Sequence, residues 1–147
     1  MDSIYDLIIV GGGPAGLSAA IYAGRSERQT LLLEKGSYGG RINDTYEIRN
    51  YPGTIVDSGQ HLMERFREHA ASHPTVELKR TTVTKIRKEG DLFVVETKRR
   101  GDFKAHSVVL DLGTRPRELG IKGEQEFTGH GVAYCATCDA EFFKGKE

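Results

Sequence analysis

The apolar positions of this chain come in short runs, and the first, Leu7-Ile8-Ile9-Val10, is continuous rather than alternating. A continuous run of that length reads as a parallel strand buried on both faces. It breaks at Gly11-Gly12-Gly13, and apolar positions resume at helical spacing through Leu17, Ala20, Ile21 and Ala23. A second apolar run, Thr30 to Leu33, ends at Glu34 and completes a strand–helix–strand unit. Asp57 or Ser58 suits the cap of a helix running to about Ser72. Leu62, Met63, Phe66 and Ala70 line one face of that helix, while Glu64, Arg65, Arg67 and Glu68 line the solvated one. Pro74 stops it. Val76–Leu78, Val83–Arg87 and Leu92–Thr97 then pattern as strands, with Glu89-Gly90-Asp91 as a hairpin turn. Lys98 to Asp102 reads as another turn, Phe103 to His106 as an edge, and Val108 to Leu112 as a further strand closed by Gly113. The order β-α-β, helix, small antiparallel meander, strand predicts an α/β, Rossmann-like domain.

Two stretches lack such a pattern. Asn43 to Tyr51 is polar and closes on the turn Asn50-Tyr51-Pro52-Gly53, a loop long enough to suggest function. Beyond Gly113, Arg115-Pro116-Arg117 reads as a linker and Gly120 to Gly131 is turn-rich and charged. The 147 residues leave room for about one domain. With 21 basic and 21 acidic side chains, nothing recommends nucleic acid or an anionic membrane as partner. No apolar run approaches the roughly 18 residues of a membrane span. The first strand follows the N-terminus too closely for a signal peptide, so a cytoplasmic protein is expected.

Chemistry enters at the first strand–helix junction. Gly11, Gly13 and Gly16 have the G-x-G-x-x-G spacing. The first permits a tight turn, the second lets backbone approach a pyrophosphate, and the third lets helix and strand pack closely. The helix N-terminus then turns N–H groups and partial positive charge toward the phosphates, and Pro14 suits its first turn. A lone glycine fingerprint is weak, but Glu34 lies 18 positions beyond Gly16. A carboxylate about 20 residues on is the usual partner of a ribose hydroxyl. A dinucleotide site is a better reading than a glycine-rich turn with a solvated glutamate.

The second centre is Cys135-Ala136-Thr137-Cys138, followed by Asp139. Two cysteines at this spacing in a reducing compartment suggest redox or metal chemistry. They cannot complete a four-ligand zinc site alone, and the only H-x(3)-H pair, His69/His73, falls at a helix end, so no metal is expected. Merely buried cysteines are the remaining alternative. A carboxyl beside a dithiol can move protons as a disulfide opens and closes, though Asp139 also suits a turn.

Together the strand-GGGPAG-helix start, the Gly39-Gly40 loop, Asn50-Tyr51-Pro52-Gly53 and Tyr134-Cys-Ala-Thr-Cys-Asp139 resemble the low-molecular-weight thioredoxin reductases. The resemblance runs through the whole chain in order, and the C-A-T-C-D string is its specific part. It implies a flavin-dependent thiol-disulfide oxidoreductase passing electrons from NADPH through FAD to the Cys135/Cys138 pair and on to a thioredoxin-like disulfide protein. Gly11, Gly13, Pro14, Ala15 and Gly16 would hold the FAD pyrophosphate, and Glu34 the adenosine ribose. Lys35, Gly40, Arg41, Val83 and Gly113 would lie along the cofactor, with Asn50 near the flavin. Cys138 would face the flavin, Cys135 would exchange with the substrate disulfide, and Asp139 would carry the proton. A homodimer is also implied.

The chain departs from the family pattern at Arg41 (usually Gln), at Asp111-Leu112 (usually Ala-Thr) and at Ala140 (usually Gly). Family members run to about twice this length, as two domains would require. Residues 1–116 are therefore expected to be the N-terminal part of an FAD-binding domain. Residues 117–147 would be a linker and the start of a truncated NADPH-type domain, with the NADPH site itself not in this chain. A second segment or chain would then complete the fold. Two other readings keep the fold: a flavin dithiol oxidase or a reductase with a different donor, and a non-catalytic flavin- or partner-binding module.

Overall fold

The structure is a computed structural model, and it describes residues 4–136 and 144–145. It divides into two compact units, Met1–Gly113 and Thr114–Glu147. The first opens with β1 (Ile4–Val10), α1 (Pro14–Arg25) and β2 (Thr30–Glu34). A short 3-10 helix (Gly40–Asp44) and α2 (Gly59–Ala71) follow. Next come β3 (Val76–Arg80), β4 (Val83–Glu89), β5 (Leu92–Thr97) and β6 (Asp102–Leu110). One six-stranded sheet results, in the order β3-β2-β1-β6-β5-β4. The Rossmann-like α/β architecture expected from the sequence is present.

The continuous apolar runs become the centre of the sheet because each has two faces to bury. On β1 and β2, Ile8, Val10, Leu31 and Leu33 point to one side and Ile9 and Leu32 to the other, all 7% exposed or less. Leu17 and Ala20 of α1 and Ala70 of α2 cover the Ile9/Leu32 face. On the opposite face the cluster of Ile8, Val10, Leu31 and Leu33 takes in Val95 and Ala105, with Val83, Ile86, Phe103 and Val108 packed against it. The helices thus cover one side, and apolar residues of the antiparallel arm supply cover for the other. Ser58 caps α2, its hydroxyl accepting the His61 N–H at 3.1 Å.

Several expected boundaries are corrected. The first strand begins at Ile4 rather than Leu7. Val76–Leu78 is not the start of the meander: β3 runs Val76–Arg80 and pairs parallel with β2, which the crossover through α2 makes possible. The edge at 103–106 and the strand at 108–112 are one strand, β6, lying beside β1. Polar Ser107 does not interrupt it, because its hydroxyl donates to the Asp6 carbonyl at 2.7 Å. Strand geometry ends at Leu110, so Asp111 and Leu112 lie beyond it. The irregular 43–51 loop begins in the 3-10 helix and closes through a two-way backbone bridge between Ile48 and Asp57.

In the second unit a short helix, α3 (Glu124–Phe127), lies within the turn-rich stretch. Among the described residues, no helix is long and apolar enough to cross a membrane.

Candidate functional site

The glycine turn is built by its neighbours. Gly11 has φ +116°, and a Cβ there would collide with the backbone carbonyl of Asp111, the first residue past β6. Asp111 is fixed in that place by its own N–H, which donates to the Val10 carbonyl at 2.9 Å. At Gly16 a Cβ would strike the carbonyl of Gly11, so α1 crosses β1 at backbone contact. Gly13 differs from both: a Cβ there would meet nothing within 4 Å. Its φ of −76° is open to any residue, so no internal contact demands glycine. As N-cap of α1 it has no side-chain cap hydrogen bond, and Pro14 occupies the first turn as expected. The first and third glycines are required from within the protein; the second leaves open space outside it.

Glu34 ends β2 directly across this turn. The Gly12 N–H donates to its Oε2 at 2.6 Å, and the Gly36 N–H to its Oε1 at 2.7 Å. One lone pair on each oxygen is thereby used and another remains for a ligand hydroxyl. The next loop is tied to the same turn by the Gly39 N–H, which donates to the Gly12 carbonyl at 2.7 Å. Gly40, with φ +55°, brings its backbone against Gly13, where an added Cβ would sit 3.4 Å from the Gly13 Cα. Tyr38 packs beside Gly12 and Glu34; burial first, and the Glu34 carboxylate second, push its phenol above the ordinary value of 10.0. The Asn43 amide donates to the Tyr38 carbonyl at 2.8 Å and steadies the loop.

Seven of the residues expected to bind cofactor, Gly11, Gly13, Pro14, Ala15, Gly16, Glu34 and Gly40, therefore gather around one backbone turn. Lys35 and Arg41 are exposed on the adjoining loop, and Asn50 is exposed further along it. Val83 opens β4, two residues after Thr81, whose N–H donates to the Glu34 carbonyl at 2.8 Å. Gly113 has φ +68° and follows the Asp111 segment that seats Gly11. The sequence reading passed over Gly12, Tyr38 and Thr81 as contributors. The triple glycine was the available signal for the first, whereas the other two are set by pairing distant in sequence.

In the second unit Cys135 is half-buried and disulfide-bonded. Cys138 and Asp139, the other two residues expected to be catalytic, lie outside the described residues. Among the described residues no group of three or more His, Cys, Asp or Glu side chains is placed to hold a metal.

The family profile described as "Pyridine nucleotide-disulphide oxidoreductase" matches residues 5–147. The chain belongs to this family. A family relative, the thioredoxin reductase of Peptoclostridium acidaminophilum, is 42% identical over 148 residues, covering 100% of this chain and 46% of that protein. A "Bifunctional thioredoxin reductase/thioredoxin" of Mycobacterium leprae is 40% identical, covering 99% of this chain and 32% of that protein. Among solved structures, the thioredoxin reductase of Streptococcus pyogenes superposes with a TM-score of 0.83 at 39% identity, covering 97% of this chain and 46% of that one. The chain thus spans less than half the length of these family relatives.

Proposed function

We propose that this chain is the cofactor-binding portion of a flavin-dependent thiol-disulfide oxidoreductase of the thioredoxin reductase type. The observation that carries the reading is the open backbone at Gly13 beside the anchored Glu34 carboxylate. It occurs on a chain 42% identical along its whole length to a thioredoxin reductase. The residues present fit the adenosine diphosphate half of FAD. The pyrophosphate would lie over Gly13 at the N-terminus of α1, where backbone amides and the helix dipole favour an anion. Glu34 would accept from the ribose hydroxyls without giving up its two backbone donors. Lys35, Gly40, Arg41, Asn50, Val83 and Gly113 would border the rest of the cofactor.

FAD, when bound, relays two electrons between a nicotinamide donor and a disulfide. In this reading NADPH and a proton reduce a thioredoxin-like disulfide to its dithiol, leaving NADP⁺. Cys135 would exchange with the substrate, Cys138 would face the flavin, and Asp139 would hold and return the proton. Residues 1–116 would serve FAD and residues 117–147 would lead into the NADPH-type domain, the whole assembling as a homodimer. The test is a Cys138→Ser variant in a full-length protein carrying this chain. It should retain flavin colour yet lose NADPH-dependent reduction of thioredoxin. Reduction at the unaltered rate would overturn the assignment.

A further inference from the structure

The position between the first two fingerprint glycines is also glycine, and the reason lies in the loop that follows β2. Gly12 has no left-handed φ, so its backbone conformation does not demand the residue. Its surroundings do. A Cβ on Gly12 would stand 2.7 Å from Cδ1 of the Tyr38 ring, and 2.9 and 3.1 Å from Cβ and Cγ of Glu34. The ring and the glutamate stem therefore crowd the same space beside a bare Cα. Tyr38 is itself fixed there. The Asn43 amide donates to its carbonyl, and the neighbouring Gly39 N–H donates to the Gly12 carbonyl. Its ring packs on the cluster of Ile9, Leu17 and Leu32.

Glu34 ends a strand, and a glutamate in that place can turn about its χ angles unless its stem is hemmed in. The Gly12 and Gly36 N–H groups hold its oxygens at 2.6 and 2.7 Å, and the Tyr38 ring fills space into which the stem would otherwise turn. Resting on the ribose-binding reading of Glu34 above, we propose that Tyr38 is the positioning residue for Glu34 and sets the preference of the site for a ribose over a sugar without hydroxyls. The ring keeps the carboxylate in the rotamer that leaves a lone pair on each oxygen for the ribose. Without the ring, Glu34 spreads over several rotamers in the unliganded chain and must be ordered when a ribose binds. A nucleotide lacking both ribose hydroxyls makes no use of Glu34 and escapes that cost. The two nucleotides therefore respond differently to loss of Tyr38, whereas a general loosening of the glycine turn weakens both alike.

The test is equilibrium dialysis of the 147-residue chain against ADP and against 2′,3′-dideoxy-ADP, read as the ratio of the two dissociation constants. The parent should prefer ADP by about tenfold, the scale of one hydrogen bond to a charged acceptor. Glu34→Ala should abolish the preference and so mark its floor. Tyr38→Ala should reduce it to about twofold, while Tyr38→Phe, which keeps the ring, should hold the parent's ratio. Gly12→Ala should lower it as well, because the new Cβ is housed only by displacing the ring or the glutamate stem. The parent's preference retained in Tyr38→Ala, or in Gly12→Ala where Tyr38→Ala fails to fold, would overturn the positioning role and leave Glu34 as the ribose acceptor. A ratio in Tyr38→Phe as low as in Tyr38→Ala would overturn the part played by the ring. A parent chain that binds both nucleotides alike, or neither, would overturn the ribose reading of Glu34, and the role of Tyr38 with it.

Discussion

At the scale of single residues, the three fingerprint glycines separate by what surrounds them. Gly11 has a left-handed backbone and a carbonyl where its Cβ would stand, so Gly11→Ala should cost about 3 kcal/mol in a denaturant melt. Gly13 is unstrained and faces open space. Threonine there still caps α1, so Gly13→Thr should leave stability within about 0.5 kcal/mol. A melt in which the two variants lose equal stability would contradict this division. Tyr5 offers a second residue-level test. Its hydroxyl donates to Glu77 Oε2 at 2.7 Å, and burial, then that bond, raise the phenol from 10.0 to about 12. A raised phenol keeps its proton longer in the folded state than in the unfolded one. Its contribution is therefore complete below pH 10 and lost as pH rises toward 12. The stability advantage of the parent over Tyr5→Phe should shrink across that interval, read from denaturant melts at successive pH values. An advantage that stays constant to pH 12 would count against the Tyr5–Glu77 bond. Of these features the glycine spacing was legible in the sequence, whereas the Asp111 carbonyl that excludes a side chain at Gly11 lies far along the chain and was not. Nor was the Tyr5–Glu77 pair, since only the parallel sheet brings together positions 72 apart.

Among the elements, the runs that bury two faces were the legible ones. β1, β2, α1 and α2 announce themselves by continuous or helical apolar spacing, and of the two caps the sequence offered, Asp57 or Ser58, the helix takes Ser58. What failed was partnership. Val76–Leu78 carries strand pattern, but nothing local says whether its neighbour is parallel or antiparallel; the crossover through α2 decides it. β6 was divided at Ser107 because a polar residue in an apolar run looks like a break, until Asp6 supplies its acceptor. The contact between α1 and the end of α2 provides a prediction at this scale. Gly24 lies in α1, and a Cβ there would stand 2.5 to 2.8 Å from the Cγ, Cβ and Cδ2 of His73. Alanine ordinarily stabilises a helix interior over glycine by roughly 0.5–1 kcal/mol. Here the Cβ of His73 cannot rotate away, so overpacking prevails at about 1–3 kcal/mol. Gly24→Ala should destabilise the chain in a denaturant melt, and a gain in stability would show that the two helices have room to part.

For the whole molecule, the two units were approached by different signals. The first follows from pattern, and its glycine turn, Glu34 and Gly40 converge as a dinucleotide cradle would need. The second was read almost entirely from the Cys-Ala-Thr-Cys-Asp string. Its carboxylate Glu124 looked like one charge among many in a turn-rich stretch, and only its burial, at 3% exposed, distinguishes it. The chain covers 46% of the Peptoclostridium acidaminophilum reductase, so cofactor binding is the part of the proposed activity that these residues address directly. The measurement that tests it is a titration of the 147-residue chain with FAD, followed by flavin fluorescence and by retention of the visible flavin spectrum through gel filtration. The account predicts saturable FAD binding that ADP competes away. Gly13→Thr should weaken it at least tenfold while melting like the parent. Absence of FAD binding, or equal affinity in the parent and Gly13→Thr, would contradict it.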